Sequence, residues 1–520
     1  TQQAMSTTLA FRGRFNRHAM RLHATLAYLA ACALLIWGLS GLLHPWITTF
    51  GAQAATFMPP QRPVQMAATA PLDRMLANAG IATLQNMRVV VGEHQNLLQI
   101  TEDTHKPRRY FNLNTGEELP DHDAQQAAFL ARHYLKLPSD TRSEVTRINA
   151  FTAEYPEVNR ILPVYRVQFD RPDGLRAYID TETSAITAVT DHTKQAAQQW
   201  FQWLHTWSWM PVQGESARVA AMATLVGALA LLSLSGLVML VLLRRRQSLT
   251  GARSVHRKAA YVLFLPVAAL SLSGLLHLFT HGWPTHTSPL RMQTAKPGPA
   301  DLAALHTQWE RITQGIDVQG LSLVYLPASG PSPGQWLYRL ATPMQPGQAI
   351  TTPSAMRNAR FDGVAPTGPA VYLRAQDGQV WPNGDREYAL RLGQHFTGLS
   401  DQTLQGTRLI TRFGGDYDFR NKRLPVWQLD YGAPLHASVF VDTATGALVD
   451  TKPHSSRAET WTFSMLHKWN FLQPLGRNTQ NIALVTAVLL AMILMAGIGL
   501  AMRKNRKSPP KLLRRSNTVA

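Results

Sequence analysis

HATLAYLAACALLIWGLSGLLH, residues 23–44, and HRKAAYVLFLPVAALSLSGLLH, residues 256–277, have equal length, begin on histidine and close on the same Ser-Gly-Leu-Leu-His. Each holds an uncharged apolar run, Ala24 to Leu43 and Ala259 to Leu276, and two more such runs follow at Val219 to Leu243 and Ile482 to Met502. All four approach the ~20 residues a helix needs to cross a bilayer. Bases cluster beside them: Arg12, Arg14, Arg17 and Arg21 before the first, six between Arg244 and Lys258, and seven after Met502, with no acid in any cluster. Cytoplasmic loops carry the excess of Lys and Arg, so both termini and the 244–256 loop are expected in the cytoplasm. The net charge of +19 is therefore a topology signal, and the 32 acids all fall in the two long segments outside, roughly 50–215 and 282–478. Nucleic acid is not an expected partner; the lipid bilayer is.

The chain repeats itself. Leu162-Pro163-Val164-Tyr165 returns as Leu424-Pro425-Val426-Trp427, Tyr178-Ile179-Asp180-Thr181 as Phe440-Val441-Asp442-Thr443, and Leu204-His205-Thr206-Trp207 as Leu466-His467-Lys468-Trp469, each at an offset of 262. The helical motifs repeat at an offset of 233, so the second outer segment is 29 residues longer than the first. Each half contains two spans and enters the membrane from the same side, which gives parallel repeats about an axis along the membrane normal. The expected fold is a membrane protein of four transmembrane α-helices in two parallel repeats, with two α+β periplasmic domains. Its boundaries are a cytoplasmic N-terminus at 1–22, helices at 23–46, 216–243, 257–281 and 479–502, the cytoplasmic loop at 244–256 and a cytoplasmic tail at 503–520. The outer domains occupy 47–215 and 282–478, with Trp-rich interfacial segments at 200–210 and 461–472.

Within the outer domains, 124–135 and 387–396 read as helices, while 162–169, 176–179, 425–429 and 438–441 read as strands. Asn112 to Gly116 and Asp442 to Gly446 read as tight turns, and the Pro-Gly-rich stretches near 327–350 and 362–369 as surface loops. Pro59, Pro60 and Pro63 mark a linker after the first helix. Ala52-Gln53-Ala54 resembles a signal-peptide cleavage site, but removing the first helix would break the repeat, so it is expected to be retained. The single cysteine, Cys32, rules out disulfides within the chain, Cys-ligated iron–sulfur clusters and covalent haem attachment through a CxxCH motif. No Ser-His-Asp, HExxH or phosphate-loop pattern is present.

Histidines carry the chemistry. His23 and His44 lie 21 residues apart, as do His256 and His277, which on a helix is about 31 Å of rise at roughly 60° of net rotation. The repeat then sets His23 opposite His256 near the cytoplasm and His44 opposite His277 near the outer face. Intramembrane histidines are costly, and facing imidazoles are good donors to haem iron. His205 and His467, in the Trp-rich interfacial segments, are open to three roles: ligands of a third site, replacements for a member of the outer pair, or lining residues. His133 and His395 read as packing residues on amphipathic helices, and His18, His281 and His286 lack a symmetric partner.

These motifs, in this order, resemble the PepSY-associated transmembrane family, which includes FoxB-like periplasmic ferrisiderophore reductases. The resemblance rests on the histidine-led first and third helices with their Ser-Gly-Leu-Leu-His ends, the Leu-His-x-Trp segments before the second and fourth, and the strand and turn Val439 to Leu448. Ser184 stands where the family prefers glycine, and Trp207 and Trp469 stand where several members have glycine after Leu-His-x. The resemblance implies PepSY-like outer domains and a b-type protein with two haems, or three if His205 and His467 form their own site. It implies an inner-membrane ferric-chelate (ferrisiderophore) oxidoreductase that passes electrons to a periplasmic ferric chelate in iron uptake. Reduction of Fe(III) weakens its hold on hard oxygen ligands. The cytoplasmic segments are too short for a flavin or nicotinamide domain, so the donor is a separate quinol or cytoplasmic reductase. Two other readings compete: a membrane-anchored PepSY binding or regulatory module without redox activity, and a transporter subunit. The second is disfavoured by spans whose only ionisable groups are histidines.

Overall fold

The computed structural model describes residues 2–64, 72–81, 84–210, 214–242, 251–281, 291–292, 318, 320–328, 332–341, 370–382, 384–411, 413–414, 417–475 and 479–507. The chain forms two compact units: one from Thr1–Phe50, Ala196–Thr285 and Ala458–Ala520, the other from Gly51–Gln195 and His286–Arg457.

The first unit is helical. Its long helices are α1 (Gln2–Phe50), α5 (Glu215–Leu242), α6 (Ala252–His281) and α9 (Thr479–Lys507). Four stretches of these, Arg17–Phe50, Glu215–Val241, Ala252–His281 and Ile482–Arg503, are long and apolar enough to cross a membrane. The repeat-equivalent helices α1 and α6 each pack on both α5 and α9. Ala30, Ala33 and Leu34 of α1 meet Leu229, Leu263, Val267, Leu489 and Met492 in the centre, where the alanines let the backbones approach. Three serine hydroxyls bond within their own helices, Ser40 Oγ donating to the Ile36 carbonyl (2.6 Å), Ser271 Oγ to Val267 (2.7 Å) and Ser273 Oγ to Ala269 (2.6 Å), while Ser233 Oγ of α5 donates across to the Phe264 carbonyl of α6 (3.2 Å).

The second unit is α+β. In the first half, α2 (Leu72–Asn78) precedes β1 (Asn86–Val91), β2 (Asn96–Thr101), β3 (Arg109–Asn112) and β4 (Glu118–Leu119). Then come α3 (His122–Leu135), β5 (Ser143–Ile148), β6 (Val164–Phe169), β7 (Arg176–Asp180), β8 (Ala185–Thr190) and α4 (His192–Phe201). The second half repeats this order after β9 (Arg291–Met292): β10 (Gly320–Leu326), β11 (Gln335–Ala341), β12 (Val371–Arg374), β13 (Val380–Trp381), α7 (Gly384–Thr397), β14 (Leu404–Ile410), β15 (Val426–Tyr431), β16 (Ala437–Asp442), β17 (Ala447–Pro453) and α8 (Arg457–Thr462), with most of α4 and α8 belonging to the helical unit. Every pairing is antiparallel. The expected outer helices fall inside α3 and α7, the expected strands begin up to two residues before β6 and β15 and lie inside β7 and β16, and the expected turns join β3 to β4 and β16 to β17.

Two findings depart from the sequence reading. First, the two outer segments share a sheet: β1 pairs with β10, Met87 opposite Leu323 and Arg88 opposite Ser322, giving the order β13-β12-β11-β10-β1-β2-β3-β4. Met87, Leu98, Ile100 and Phe111 pack there with Leu323, Tyr338, Leu340 and Leu373 in one core. A second link is the ion pair of Arg160 with Asp450, 3.1 Å, beside Asn421. Second, β11 lies inside the stretch read as a loop near 327–350, because Trp336 to Leu340 are buried in the sheet despite the flanking Pro and Gly. Residues 342–350 and 362–369 lie outside the described residues, as does His286. Most of the extra length of the second half falls between β11 and β12, at 342–370, where the first half has 102–108.

The equivalent turns show how the halves were built alike. Asp180 Oδ1 accepts from the Glu182 N–H (3.0 Å) and Oδ2 from Thr183 Oγ1 (2.6 Å); Asp442 does the same for Ala444 N–H (2.8 Å) and Thr445 Oγ1 (2.8 Å). The next backbone position is left-handed in both, Ser184 at φ 54° and Gly446 at φ 69°.

Candidate functional site

His23 sits in α1 and His256 in α6, and their rings face one another with centres 6.5 Å apart and planes at 75°. His23 Nδ1 is 3.1 Å from the Leu232 carbonyl and 3.1 Å from Ser235 Oγ, whose proton goes to that same carbonyl at 2.9 Å. His256 Nδ1 is 3.1 Å from the Met495 carbonyl. A carbonyl only accepts, so each Nδ1 carries the hydrogen and each Nε2 keeps its lone pair. Backbone crowds both rings: a Cβ at Gly236 would stand 3.4 Å from His23 Cε1, and one at Gly499 would stand 3.2 Å from His256 Cε1, tighter than ordinary contact.

The second facing pair is His205 and His467, 6.5 Å apart at 77°. Each lies on a π-helical turn, Gln202–Thr206 after α4 and Phe463–His467 after α8, the kind of widened turn that recurs at functional sites. The chain turns back to the next span through a tryptophan with left-handed backbone, Trp207 (φ 54°) and Trp469 (φ 53°). His205 Nδ1 is 2.9 Å from Ser40 Oγ, and His467 Nδ1 is 3.4 Å from Ser273 Oγ. Both serines spend their single proton on a helix carbonyl, so they accept from Nδ1, and again Nε2 keeps the lone pair. Burial lowers the His205 imidazole to about 3 and His467 to about 4, so both are neutral, the state that binds iron. Trp37 Nε1 donates to the His205 carbonyl (2.9 Å) and its ring stacks on Trp207 at 5.6 Å, fixing the segment on α1.

His44 and His277 stand one aromatic ring behind this pair. Phe201 stacks on His205 (4.7 Å, 16°) and leans on His44 (5.5 Å, 33°); Phe463 stacks on His467 (4.9 Å, 18°) and on His277 (3.7 Å, 13°). The second facing pair is thus drawn from the segments that precede α5 and α9, and not from the helix ends named in the sequence reading. The rise from His23 to Ser40 places the two pairs about 25 Å apart along α1, less than the His23 to His44 rise. Sequence reasoning missed Phe201 and Phe463 although they share the offset of 262, and missed Ser40 and Ser273 although they begin the repeated Ser-Gly-Leu-Leu-His.

No protein-family model, curated protein or solved structure matches this chain. The chemistry of the site therefore stands on its own geometry. Two imidazoles sharing a metal at about 2.0–2.1 Å per nitrogen have ring centres roughly 6–6.5 Å apart, because the ring centre lies about 1.1 Å behind the nitrogen. Both facing pairs meet that spacing, with imidazole nitrogens suited to iron and second nitrogens already anchored. His277 and its neighbour His281 approach Glu459 at the start of α8, at 2.7 and 3.7 Å.

Proposed function

We propose that this protein is a b-type haem protein of the bacterial inner membrane that passes electrons across the bilayer to reduce a periplasmic ferric chelate. The observation that carries the reading is the repeated pair of crossed imidazoles: His23 with His256 and His205 with His467, both at 6.5 Å. His23 and His256 hold one haem and His205 and His467 a second. When bound, each haem supplies a reversible one-electron iron centre. The residues of the chain orient and insulate it: the Leu232 and Met495 carbonyls and the Ser40 and Ser273 hydroxyls fix each imidazole tautomer. Phe201 and Phe463 clamp the outer rings, and the alanine-rich centre excludes water. The termini and the 244–256 loop face the cytoplasm, where a quinol or a separate reductase donates. The antiparallel unit, PepSY-like in its strand and turn motifs, is the surface on which the chelate docks.

The test is the visible spectrum of the detergent-purified protein, oxidised and dithionite-reduced, with haem counted per chain. Sharp reduced bands of six-coordinate haem b at two per chain, oxidised again by a ferric chelate, are expected. A colourless protein, despite haem supply during expression, overturns the reading in favour of a membrane-anchored binding module.

A further inference from the structure

The described residues hold one group of three ligand-bearing side chains whose donor atoms converge: His277, His281 and Glu459, all within 4.8 Å of one another. We propose that these three residues bind a divalent first-row metal ion, with Fe(II) as the occupant. Two imidazoles and one carboxylate with open positions are the donor set of non-haem Fe(II) sites. The choice of iron rests on the ferric-chelate reading, which makes Fe(II) the product; binding of a divalent ion does not.

Four features build the site. His277 and His281 are four residues apart on α6, so one helix face presents both rings, as in other helical two-histidine metal sites. Their rings stack at 4.7 Å, and Phe463 holds the opposite face of His277 at 3.7 Å, so the first ligand is already oriented. Glu459 enters from α8 with a side chain only 7% exposed, and a buried carboxylate needs a cation or donors facing it. Its Oε1 lies 2.7 Å from His277 Nδ1 and 3.7 Å from His281 Nδ1. A metal at about 2.0–2.2 Å from each atom sets them roughly 3–3.5 Å apart, within reach of a rotation of the exposed His281. On the solvent side His281 is 45% exposed, which leaves room for water or an incoming ligand to complete the coordination.

The fourth feature is asymmetry. The facing histidines, the phenylalanines and the serines occur in both halves, but the positions equivalent to His281 and Glu459 are Thr48 and Ala197. The triad is therefore not part of the repeated framework around His205 and His467, and its function belongs to the second half alone.

The experiment uses full-length protein without a polyhistidine tag, treated with EDTA and titrated anaerobically with Co(II) and then Fe(II), with haem counted on the same samples. One Co(II) per chain, with visible bands of nitrogen and oxygen coordination, is expected, and Fe(II) should displace or compete with it. Binding should weaken as pH falls through the histidine range, because the ligands must lose protons. Glu459→Gln and His281→Asn should each weaken it by more than the roughly 10–100-fold that loss of an outer-shell partner costs, with the haem spectrum unchanged. His281 is exposed, so its variant reports even where the buried Glu459 substitution unfolds the protein. Haem-loaded protein without saturable Co(II) binding overturns the site. So does a Glu459→Gln variant that alters the haem spectrum and still takes up Co(II). A colourless protein that binds one Co(II) per chain overturns the haem reading and leaves the metal site standing.

Discussion

The two halves of the chain place an aspartate at the same point and surround it differently. Asp123, on α3, accepts from Tyr110 (2.8 Å), Tyr165 (2.8 Å) and the Arg108 backbone N–H (2.9 Å). Asp385, on α7, accepts from Tyr372 (2.7 Å), Trp427 (2.7 Å) and Thr443 (2.9 Å), with Arg339 at 3.6 Å. Burial raises the Asp385 carboxyl, but the Arg339 charge and those donors outweigh it and leave it below its ordinary value. In the first half the buried charge is concentrated instead on Glu182, whose equivalent is Ala444. Arg108 (3.1 Å), Thr101 (2.5 Å) and Asn86 (2.9 Å) converge on it. Position is conserved between the halves where an element must be held, while the partners at that position drifted. The same contrast separates the repeated histidine pairs from the one-sided triad of His277, His281 and Glu459.

Substitutions that treat the halves unequally break or sharpen this comparison. The largest effect is expected at the histidines. His205→Ala should remove one of two haems per chain, and His44→Ala should leave both, in a pyridine haemochrome assay; equal losses would restore the helix-end histidines as ligands. Next, Glu182→Ala removes the nearer of the two carboxylates paired with Arg108, leaving Asp180 at 3.7 Å, and should lower stability by about 2–3 kcal/mol in urea unfolding. Substitution of Ala444, which faces no such charge, by Gly should stay within about 1 kcal/mol.

Acid should expose the same asymmetry. Burial raises the Glu182 carboxyl, but Arg108 and the hydrogen bonds from Thr101 and Asn86 overcome it and hold it at about 2, below its ordinary 4.5. A depressed carboxyl stabilises the fold fully above its unfolded value and loses that contribution as pH falls through the folded one. About 3 kcal/mol should therefore disappear between pH 4.5 and 2, and Glu182→Gln should flatten that part of the stability curve. The smallest effect concerns the paired turns. Ser184 holds a left-handed backbone that Gly446 adopts without strain, so Ser184→Gly should raise stability by about 0.5 kcal/mol, and Gly446→Ser should lower it by about 1 kcal/mol.

The membrane helices were legible because lipid demands long uncharged runs, and the repeat was legible because His, Ser-Gly-Leu-Leu-His and Leu-His-x-Trp recur at fixed offsets. Those offsets also singled out the four histidines that now face one another, His23 with His256 and His205 with His467. What spacing along one helix does not carry is which imidazole another segment swings in front of. His205 and His467 displaced His44 and His277 from the facing position because Phe201, at the end of α4, and Phe463, at the start of its π-helical turn, stand between them. Glu459 left no trace in the repeat, since its counterpart is alanine. The β1 to β10 pairing was likewise illegible: neither 86–91 nor 320–326 stands out as a strand in the sequence reading, and nothing local distinguishes an edge from a centre.

That pairing has a consequence for how the protein is made. Arg88 and Ser322 lie about 230 residues apart, so at roughly 5–20 residues per second synthesis leaves β1 waiting about 10–45 s for its neighbour. Through that interval the nascent first half presents β1, paired on one side with β2, as an open sheet edge, a template for pairing with any other extended chain. Folding of this segment therefore calls for a chaperone, or a transient occupant of the β1 edge, until β10 arrives.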